Sequence, residues 1–579
     1  MEERDIKAVS GQGRTRTISR AGSAASFREM QLVLIIWGCF LLCGFFYIGM
    51  IPVWEGYDEW AHFAYAQHLL SHGTLPLGDR TRVSREVEAS FQFLPLPWEM
   101  ADVAVPHVTH DGYWRLSEAE RADRSRALAS IPRAWAHEVA QTRILNYEAQ
   151  QPPLYYWLLQ APLYLLRHAP LPERVYLLRC LSFLAASIVI PIGYVVAKRT
   201  FRSPGIAFGV IAVIAVMPEF VLELSRVAND SLATALYCVL LLLAIRIYDD
   251  PGRTKWAIAY GTILGLGLLT KAYFFTAIPI TVLLYIGLCL RNRLQWRRIL
   301  LLGCLVAGVV VVISGWWYFR SRLLTGSWSG MQEDVSLRGM SLLALMNQAT
   351  HVNWRVAFDA FFVSHIYFGN WSFLGLRWWI YHFFRYLALL GVCGTLVFLW
   401  RYFRKGRGQK GAADGGPILI AASYYLTFAL GLAYHVLITF AAGGGSSTNG
   451  WYIYCLVIAE VLLAAAGTMA ILPGRLRPGW LPFLAVCFCL LDLYGAHFVL
   501  IPYYTGLIAH NANGALATFH IEQYSREGIG LAVSRLLQNK PAFWNESVLM
   551  ASWLLFIVAT VVTVVLSVRL RRKTEKSDE

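Results

Sequence analysis

Charge is scarce in this sequence. Only 15% of its 579 residues are Asp, Glu, Lys or Arg, against roughly 25% in an ordinary soluble domain, which excludes a chain whose main solvent is water. There is no CxxC metal pattern and no disulfide framework. The ten cysteines (Cys39, Cys43, Cys180, Cys238, Cys289, Cys304, Cys393, Cys455, Cys487, Cys489) all lie in or beside apolar runs. No internal repeat marks the inverted halves of a transporter. A cleavable signal is not expected, because the first apolar stretch outruns an h-region of about 7–15 residues and ends in Pro-Val-Trp, not in small residues.

What the chain has instead is apolar length. Residues of the AVILMFWYC set make up 57% of it, and runs of the roughly 20 residues needed to cross a bilayer recur, as at Gln31 to Val53, Gly205 to Leu224, Ile299 to Tyr318 and Val548 to Val568. The net charge of +15 sits mostly in short Lys/Arg clusters beside these runs. That is the pattern of cytoplasmic loops, not of a nucleic-acid surface. The fold class read from this is an all-α polytopic membrane protein of about twelve transmembrane helices with an external, partly helical first loop.

The basic clusters orient the spans. Lys198 to Arg202, Arg246 to Lys255, Arg291 to Arg298, Arg401 to Lys410, Arg475 to Arg477 and Arg569 to Lys576 are read as cytoplasmic, with two apolar spans or one hairpin between consecutive clusters. Residues 1–28 form an expected disordered cytoplasmic tail, 29–569 the transmembrane domain and 570–579 a basic cytoplasmic tail. The external loops are 54–173, 320–381 and 501–545. Within the first, residues 152–167 (PPLYYWLLQAPLYLLR) are too short and too broken by Pro162 for a crossing and read as an interfacial helix. Further helices are expected at Asp58 to Ser71 and Ser117 to Ala129. Both termini are cytoplasmic on this reading, and the location is the plasma (inner) membrane.

Chemistry-bearing residues gather in the external segments. Trp54-Glu-Gly-Tyr-Asp58-Glu59-Trp-Ala-His62 places Asp58 and Glu59 on the face of His62, at i+4 and i+3 of a helix expected on the membrane surface. Carboxylate and imidazole at that spacing hold a divalent cation or form an acid/base pair; the plainer alternative is a helix start favoured by acids. Asn229-Asp230 begins a span, where Asn229 reads most simply as an N-cap. Lys271 sits at the break after Gly-Leu-Gly-Leu-Leu-Thr and either snorkels or neutralises a phosphate. Arg320, beyond Gly315-Trp-Trp-Tyr318, poses the same choice. Asn146-Tyr-Glu148-Ala-Gln150-Gln151-Pro152-Pro153 is a stiff turn that presents Glu148 and Gln151. Gly443 to Gly450 before Trp451-Tyr452 is a loop whose backbone can approach a phosphate. His107, His110, His137 and His168 have no ligand spacing.

The order of these features resembles a known family. An Asp-Glu motif after the first span, the Pro-Pro-Leu-Tyr-Tyr-Trp-Leu helix, Arg179 to Ser182, the external Asn-Asp and the span ending Leu-Leu-Thr-Lys are similar to the GT-C superfamily. These are polyprenyl-phosphate-dependent membrane glycosyltransferases, which include lipid A aminoarabinose transferases and protein O-mannosyltransferases. The likeness is strongest over residues 31–290. It implies an inverting transfer of sugar from a polyprenyl-phosphate donor to an extracytoplasmic lipid, glycan or protein acceptor, within the cell envelope. Asp58, as catalytic base or metal ligand, and Glu59 beside it would then be the catalytic residues, and His62, Glu148, Gln151, Asp230, Lys271, Arg320 and Tyr452 the substrate-binding groups. The cofactor open to it is a divalent cation, Mg2+ or Mn2+, on Asp58 and His62. Two positions depart from the pattern: Gln151 stands where relatives carry Lys before Pro-Pro, and Trp451 where they show Gly-Arg-Tyr. The alternative readings are a transporter or lipid flippase, resting on Glu219, Glu223, His435, Glu460 and Asp492, and a non-catalytic envelope assembly factor.

Overall fold

The computed structural model describes residues 11–578 except 79, 99, 101–107, 134–135, 137–141 and 406–412. Residues 1–10 of the expected tail lie outside this set, as do His107 and His137. From Gly11 the chain is helical without interruption to Met50, and the last helix, Glu546–Asp578, runs through the expected basic tail.

The fold is an all-α membrane bundle whose described strands are two residues each, Pro95–Leu96 paired in parallel with Val108–Thr109. Ten described helices are long and apolar enough to cross a bilayer, and an eleventh is counted if the bent pair Pro204–Ala215 and Pro218–Leu224 forms one span. The sequence suggested twelve. The difference is Thr254–Leu268, fifteen residues long and so only about 22 Å at 1.5 Å per residue, short of a hydrocarbon core of roughly 30 Å. The 64° bend in the pair falls at Val216–Met217, where Pro218 opens the second piece without an N–H to continue the first.

One end of the bundle is built by three long loops that lock into each other. Trp371 N donates to Glu55 O (3.2 Å) and Ser372 N to Glu55 Oε1 (3.0 Å), so the 367–377 turn is tied to the segment after the first span. Lys540 Nζ donates to the carbonyls of Met50 and Ile51 (3.1 and 3.0 Å), at the C-terminus of the first helix, where carbonyls lack helical partners. Asp111 accepts from His510 N and Nδ1 (2.8 and 2.9 Å), joining the first loop to the 501–545 segment. The helix Glu118–Ser130 opens with the capping box of Ser117 and Glu120, close to its expected start.

The helix Glu59–His72 does not lie on the membrane surface with one face in water, as its sequence suggested. Ten of its fourteen residues are buried, and Tyr65 stacks on Tyr156 of the helix Leu154–Leu165 with ring centroids 3.7 Å apart. That second helix has twelve residues with Pro162 inside it, too short to span. Sandwiching the first helix between this short helix and the bundle buries the Asp-Glu-x-x-His motif within protein. The turn ahead of it is tight: Trp54 and Asp58 both have left-handed backbone, φ 69° and 58°, a conformation Asp tolerates better than most residues. Gly56 is required there, since a Cβ would come within 2.6 Å of Arg226 Cβ.

Candidate functional site

Four stretches of chain meet around Asp58. From the first loop come Asp58 and His62, one helical turn apart. The 3-10 turn Tyr147–Gln150 adds Tyr147 and Glu148. The turn before the helix Asp230–Asp249 supplies Arg226, Asn229 and Asp230, and the break after Thr254–Leu268 supplies Lys271, whose backbone is extended.

Tyr147 OH donates to Asp58 Oδ1 at 2.5 Å, and Tyr156 OH lies 2.8 Å from His62 Nδ1. Glu148 Oε2 is 3.7 Å from the same nitrogen and has no hydrogen-bond partner although it is buried. Of these three, His62 and Glu148 are buried and Asp58 is partly open. Lys271 Nζ donates to Asp230 Oδ1 at 2.6 Å, while Arg226 Nη2 reaches Asp230 Oδ2 at 3.2 Å. Arg226 also donates to the carbonyl of Tyr57 and pairs with Glu223. The Lys271 ammonium lies 4.4 Å from the ring centroid of Tyr273 and 5.6 Å from that of Tyr452, an aromatic cradle suited to a cation.

Burial sets the protonation of this group. It raises the Asp58 carboxyl above its ordinary range, opposed by Arg226, the Tyr147 hydrogen bond and Lys271. Burial, with Asp58 next, pushes Glu148 up to about 8. His62 is driven well below its usual value by burial, Arg226 and Lys271, so it is neutral at pH 7 and its ring can accept or ligate. The two cations work in opposite senses on acid and imidazole, keeping Asp58 toward the ionised form and His62 toward the neutral one.

The residues singled out from the sequence separate into two sets. Asp58, His62, Glu148, Asp230 and Lys271 are brought together, with Tyr452 at the Lys271 end. Gln151 is buried beside them, its Oε1 accepting from Asn229 Nδ2 at 3.3 Å. Glu59 is turned away. Its Oε1 accepts from Arg179 Nε (2.6 Å) and Val227 N (3.1 Å), and its Oε2 from Arg179 Nη2 (2.6 Å) and Trp54 N (3.1 Å). Both of its oxygens are engaged twice, so Glu59 is held as a buried anion paired with Arg179. Arg320 is likewise elsewhere. It continues a helix that runs to Thr325, packs on Trp317 at 5.1 Å and donates to Leu75 O and Pro76 O (3.4 and 3.2 Å), bracing the loop after His72. Asn229 does not cap its helix with its side chain; it donates to Gln151 and to Thr270 O (3.1 Å), sewing two of the stretches together.

Arg226 went unnoticed in the sequence, yet its guanidinium is 1% exposed and central to the site. The signal was there: an Arg in a short hairpin top expected on the outer face runs against the positive-inside rule, and an ionisable group beside apolar spans is functional by default. Tyr147 and Tyr156, which orient Asp58 and His62, gave no comparable signal.

Gly450-Trp451-Tyr452 shows how the departing Trp is used. A Cβ at Gly450 would overlap Phe361 O and His365, so only Gly allows this approach. Trp451 stacks on Tyr57 at 3.8 Å, and the Arg226 guanidinium carbon lies 5.5 Å from the Tyr57 ring centroid.

Residues 150–319 match the family model of the dolichyl-phosphate-mannose-protein mannosyltransferases. The matched segment, under a third of the chain, holds Gln151, Arg179, Arg226, Asp230 and Lys271, while Asp58, His62, Glu148 and Tyr452 lie outside it. No curated protein matches the chain significantly. The family match agrees with the GT-C likeness read from the motif order and supports a membrane glycosyltransferase.

Proposed function

We propose that the protein transfers a sugar, with inversion, from a polyprenyl-phosphate donor to a hydroxyl-bearing lipid, glycan or protein acceptor on the extracytoplasmic side of the plasma membrane, both termini being cytoplasmic. The observation that carries this reading is the convergence of Asp58, Arg226, Asp230 and Lys271 from separate stretches. A partly open carboxylate thereby stands beside two buried cations.

In the reaction, the acceptor oxygen forms a bond to the anomeric carbon as the bond from that carbon to the phosphate oxygen breaks, its electron pair leaving on the phosphate. The acceptor proton passes to Asp58, whose Oδ1 is fixed by Tyr147, as a general base. Lys271 and Arg226 stabilise the charge that collects on the departing phosphate, with Asp230 holding the two cations in place. A largely apolar cavity of about 620 Å3, lined by Met217, Phe361, Phe384, Leu432 and Thr448 among others, adjoins the Gly450 turn and is suited to an isoprenoid chain.

The transporter reading calls for ionisable groups facing a polar path in mid-span. The groups on which it rests are engaged locally. Glu219 accepts from Phe368 N and Gly369 N (2.9 and 3.2 Å), Glu223 pairs with Arg226, Glu460 with His365 (2.7 Å), and Asp492 accepts from Tyr47.

The test is release of polyprenyl phosphate from a polyprenyl-phosphate sugar by the protein in nanodiscs, supplied with hydroxyl acceptors. Release that depends on Asp58 is expected. No release with any such donor, together with solute uptake into liposomes bearing the same protein, overturns the reading in favour of transport.

A further inference from the structure

Arg322 and Arg338 converge on one glycine. Arg322 donates through Nη1 to the carbonyl of Gly326, and a Cβ at Gly326 would lie 3.0 Å from Arg338 Nη1. Two guanidiniums thus reach the same turn, one from each side of it along the chain. Arg338 Nε also donates to Val335 O at 3.0 Å. Among the described residues both arginines are partnered by carbonyls, and no carboxylate pairs with either. Like charges held side by side repel, and the planar guanidinium fork matches an oxyanion bound at two points. We propose that Arg322 and Arg338 clamp the phosphate of a bilayer phospholipid, at a site separate from the one around Asp58.

The surroundings suit a lipid. The two arginines line an open cleft of about 490 Å3 whose wall also carries Phe275, Trp328, Asp334 and Tyr434. Asp334 accepts from the hydroxyls of Ser329 and Tyr434 and does not neutralise the pair. The cleft opens where a membrane-crossing run ends: Arg322 lies in the last turn of Trp296–Thr325, and Leu323 and Leu324 beside it are 69% and 55% exposed. Just past Arg338, Leu342 and Leu343 of the helix Leu342–Gln348 are 74% and 79% exposed. A soluble anion would leave these apolar flanks in water. Acyl chains cover them, with the headgroup phosphate between.

The clamp borders the candidate site without sharing its cations. Arg226 and Lys271 are held on Asp230, so a donor phosphate and this phospholipid have separate partners. Gln332, between the two arginines in the chain, donates its N–H to Gln150 Oε1 at 2.7 Å, and Gln150 ends the turn that carries Glu148. A lipid held by Arg322 and Arg338 therefore fixes the loop that braces that turn. On the extracytoplasmic side proposed for this end of the bundle, arginines run against the positive-inside rule, and a lipid phosphate accounts for them. That sidedness is taken from the proposed function; the binding is read from the cleft alone.

The full-length protein, delipidated in detergent and titrated with dioleoyl phosphatidylglycerol without any sugar donor, is followed by native mass spectrometry. Retention of the first phospholipid should weaken roughly tenfold when Arg322→Gln and Arg338→Gln are combined, since both charge-assisted contacts are lost. Arg355→Gln, in the same loop and exposed but outside the cleft, should bind as wild type does. Size-exclusion profile and melting temperature establish that each variant is folded. A folded double variant that retains the lipid like wild type refutes the clamp, and so does an equal loss in Arg355→Gln. Displacement of the lipid by equimolar inorganic phosphate makes this a free-anion site and overturns the lipid assignment. A loss seen with polyprenyl phosphate and not with phosphatidylglycerol gives the arginines to the donor and overturns it as well. No sugar is present in the assay, so failure of the transfer reaction leaves its result standing.

Discussion

Replacing Glu59 by Gln separates the two neighbouring acids of the Asp-Glu motif. Glu59 and Arg179 are both 0% exposed. Arg179 donates twice to Glu59 and also to the carbonyls of Ile48, Ile51 and Pro52 (3.3, 2.8 and 2.7 Å), while Glu59 receives Trp54 N and Val227 N besides. This one pair therefore ties together the end of the first span, the turn before Asp58, the helix Leu171–Ala186 and the turn that carries Arg226. In Glu59→Gln the amide oxygen still accepts on one side, but the NH2 group faces an arginine N–H and a backbone N–H, and the guanidinium is left buried without its counter-charge. Breaking a buried pair from one side costs about 3–5 kcal/mol.

The expected outcome is a markedly lowered melting temperature in detergent, with loss of activity in proportion to loss of folded protein. An apolar pair, Glu59→Leu with Arg179→Met, should recover only part of this, because Trp54 N and Val227 N lose the carboxylate that accepts from them. A Glu59→Gln protein that melts with wild type yet is inactive would refute the argument and return Glu59 to the chemistry.

Asp58→Asn should behave in the opposite way. Asn accepts left-handed backbone as readily as Asp and still accepts from Tyr147, so melting should be unchanged while transfer falls by about 10^2–10^4, the usual worth of a general base; near-normal turnover would exclude Asp58 as the base. Arg226→Lys retains a charge but cannot reach Tyr57 O, Glu223 and Asp230 together, so KM for the donor should rise at least tenfold with acceptor KM unchanged, and a change confined to the acceptor would count against a phosphate role. In the loops at this end of the bundle, burial alone would push the Asp111 carboxyl up, but hydrogen bonds from the His510 side chain and backbone outweigh it and hold the group below its ordinary value. Such a carboxyl adds stability above pH 3.8 that is lost as pH falls through the folded value. Wild type should therefore lose stability on acidification below about pH 4 more steeply than Asp111→Asn, as read by denaturant unfolding at successive pH values; parallel curves would show that this pair does not latch the loops.

How far the sequence could be read depended on the physics of each part. Apolar run length is imposed by the bilayer, so the spans emerged close to their observed places, and the one that fell short, Thr254–Leu268, differs by a few residues. Helix caps are local chemistry, and Ser117 to Glu120 was legible for that reason. Which of two adjacent acids faces a site is not local. Asp58 and Glu59 differ in sequence by one position, and only the packing of Arg179, 120 residues away along the chain, determines that Glu59 is consumed in structure. Arg320 was misplaced because its helix continues past Tyr318, where the apolar run read from the sequence ends, to Thr325, carrying it onto the carbonyls of Leu75 and Pro76.

The two departures from the GT-C pattern bear on whether the site can hold a phosphate at all. If cations were needed at positions 151 and 451, Gln151 and Trp451 would leave it deficient. The structure shows what these residues do instead: Gln151 fixes Asn229, one residue before Asp230, and Trp451 backs Tyr57, whose carbonyl and ring both engage Arg226. Both substitutions act on the turn that brings Arg226 to Asp230. The guanidinium is thus supplied from a different strand of chain, at the cost of the carboxyls that hold it. A site built this way keeps its two cations, Arg226 and Lys271, on Asp230 and within electrostatic reach of Asp58.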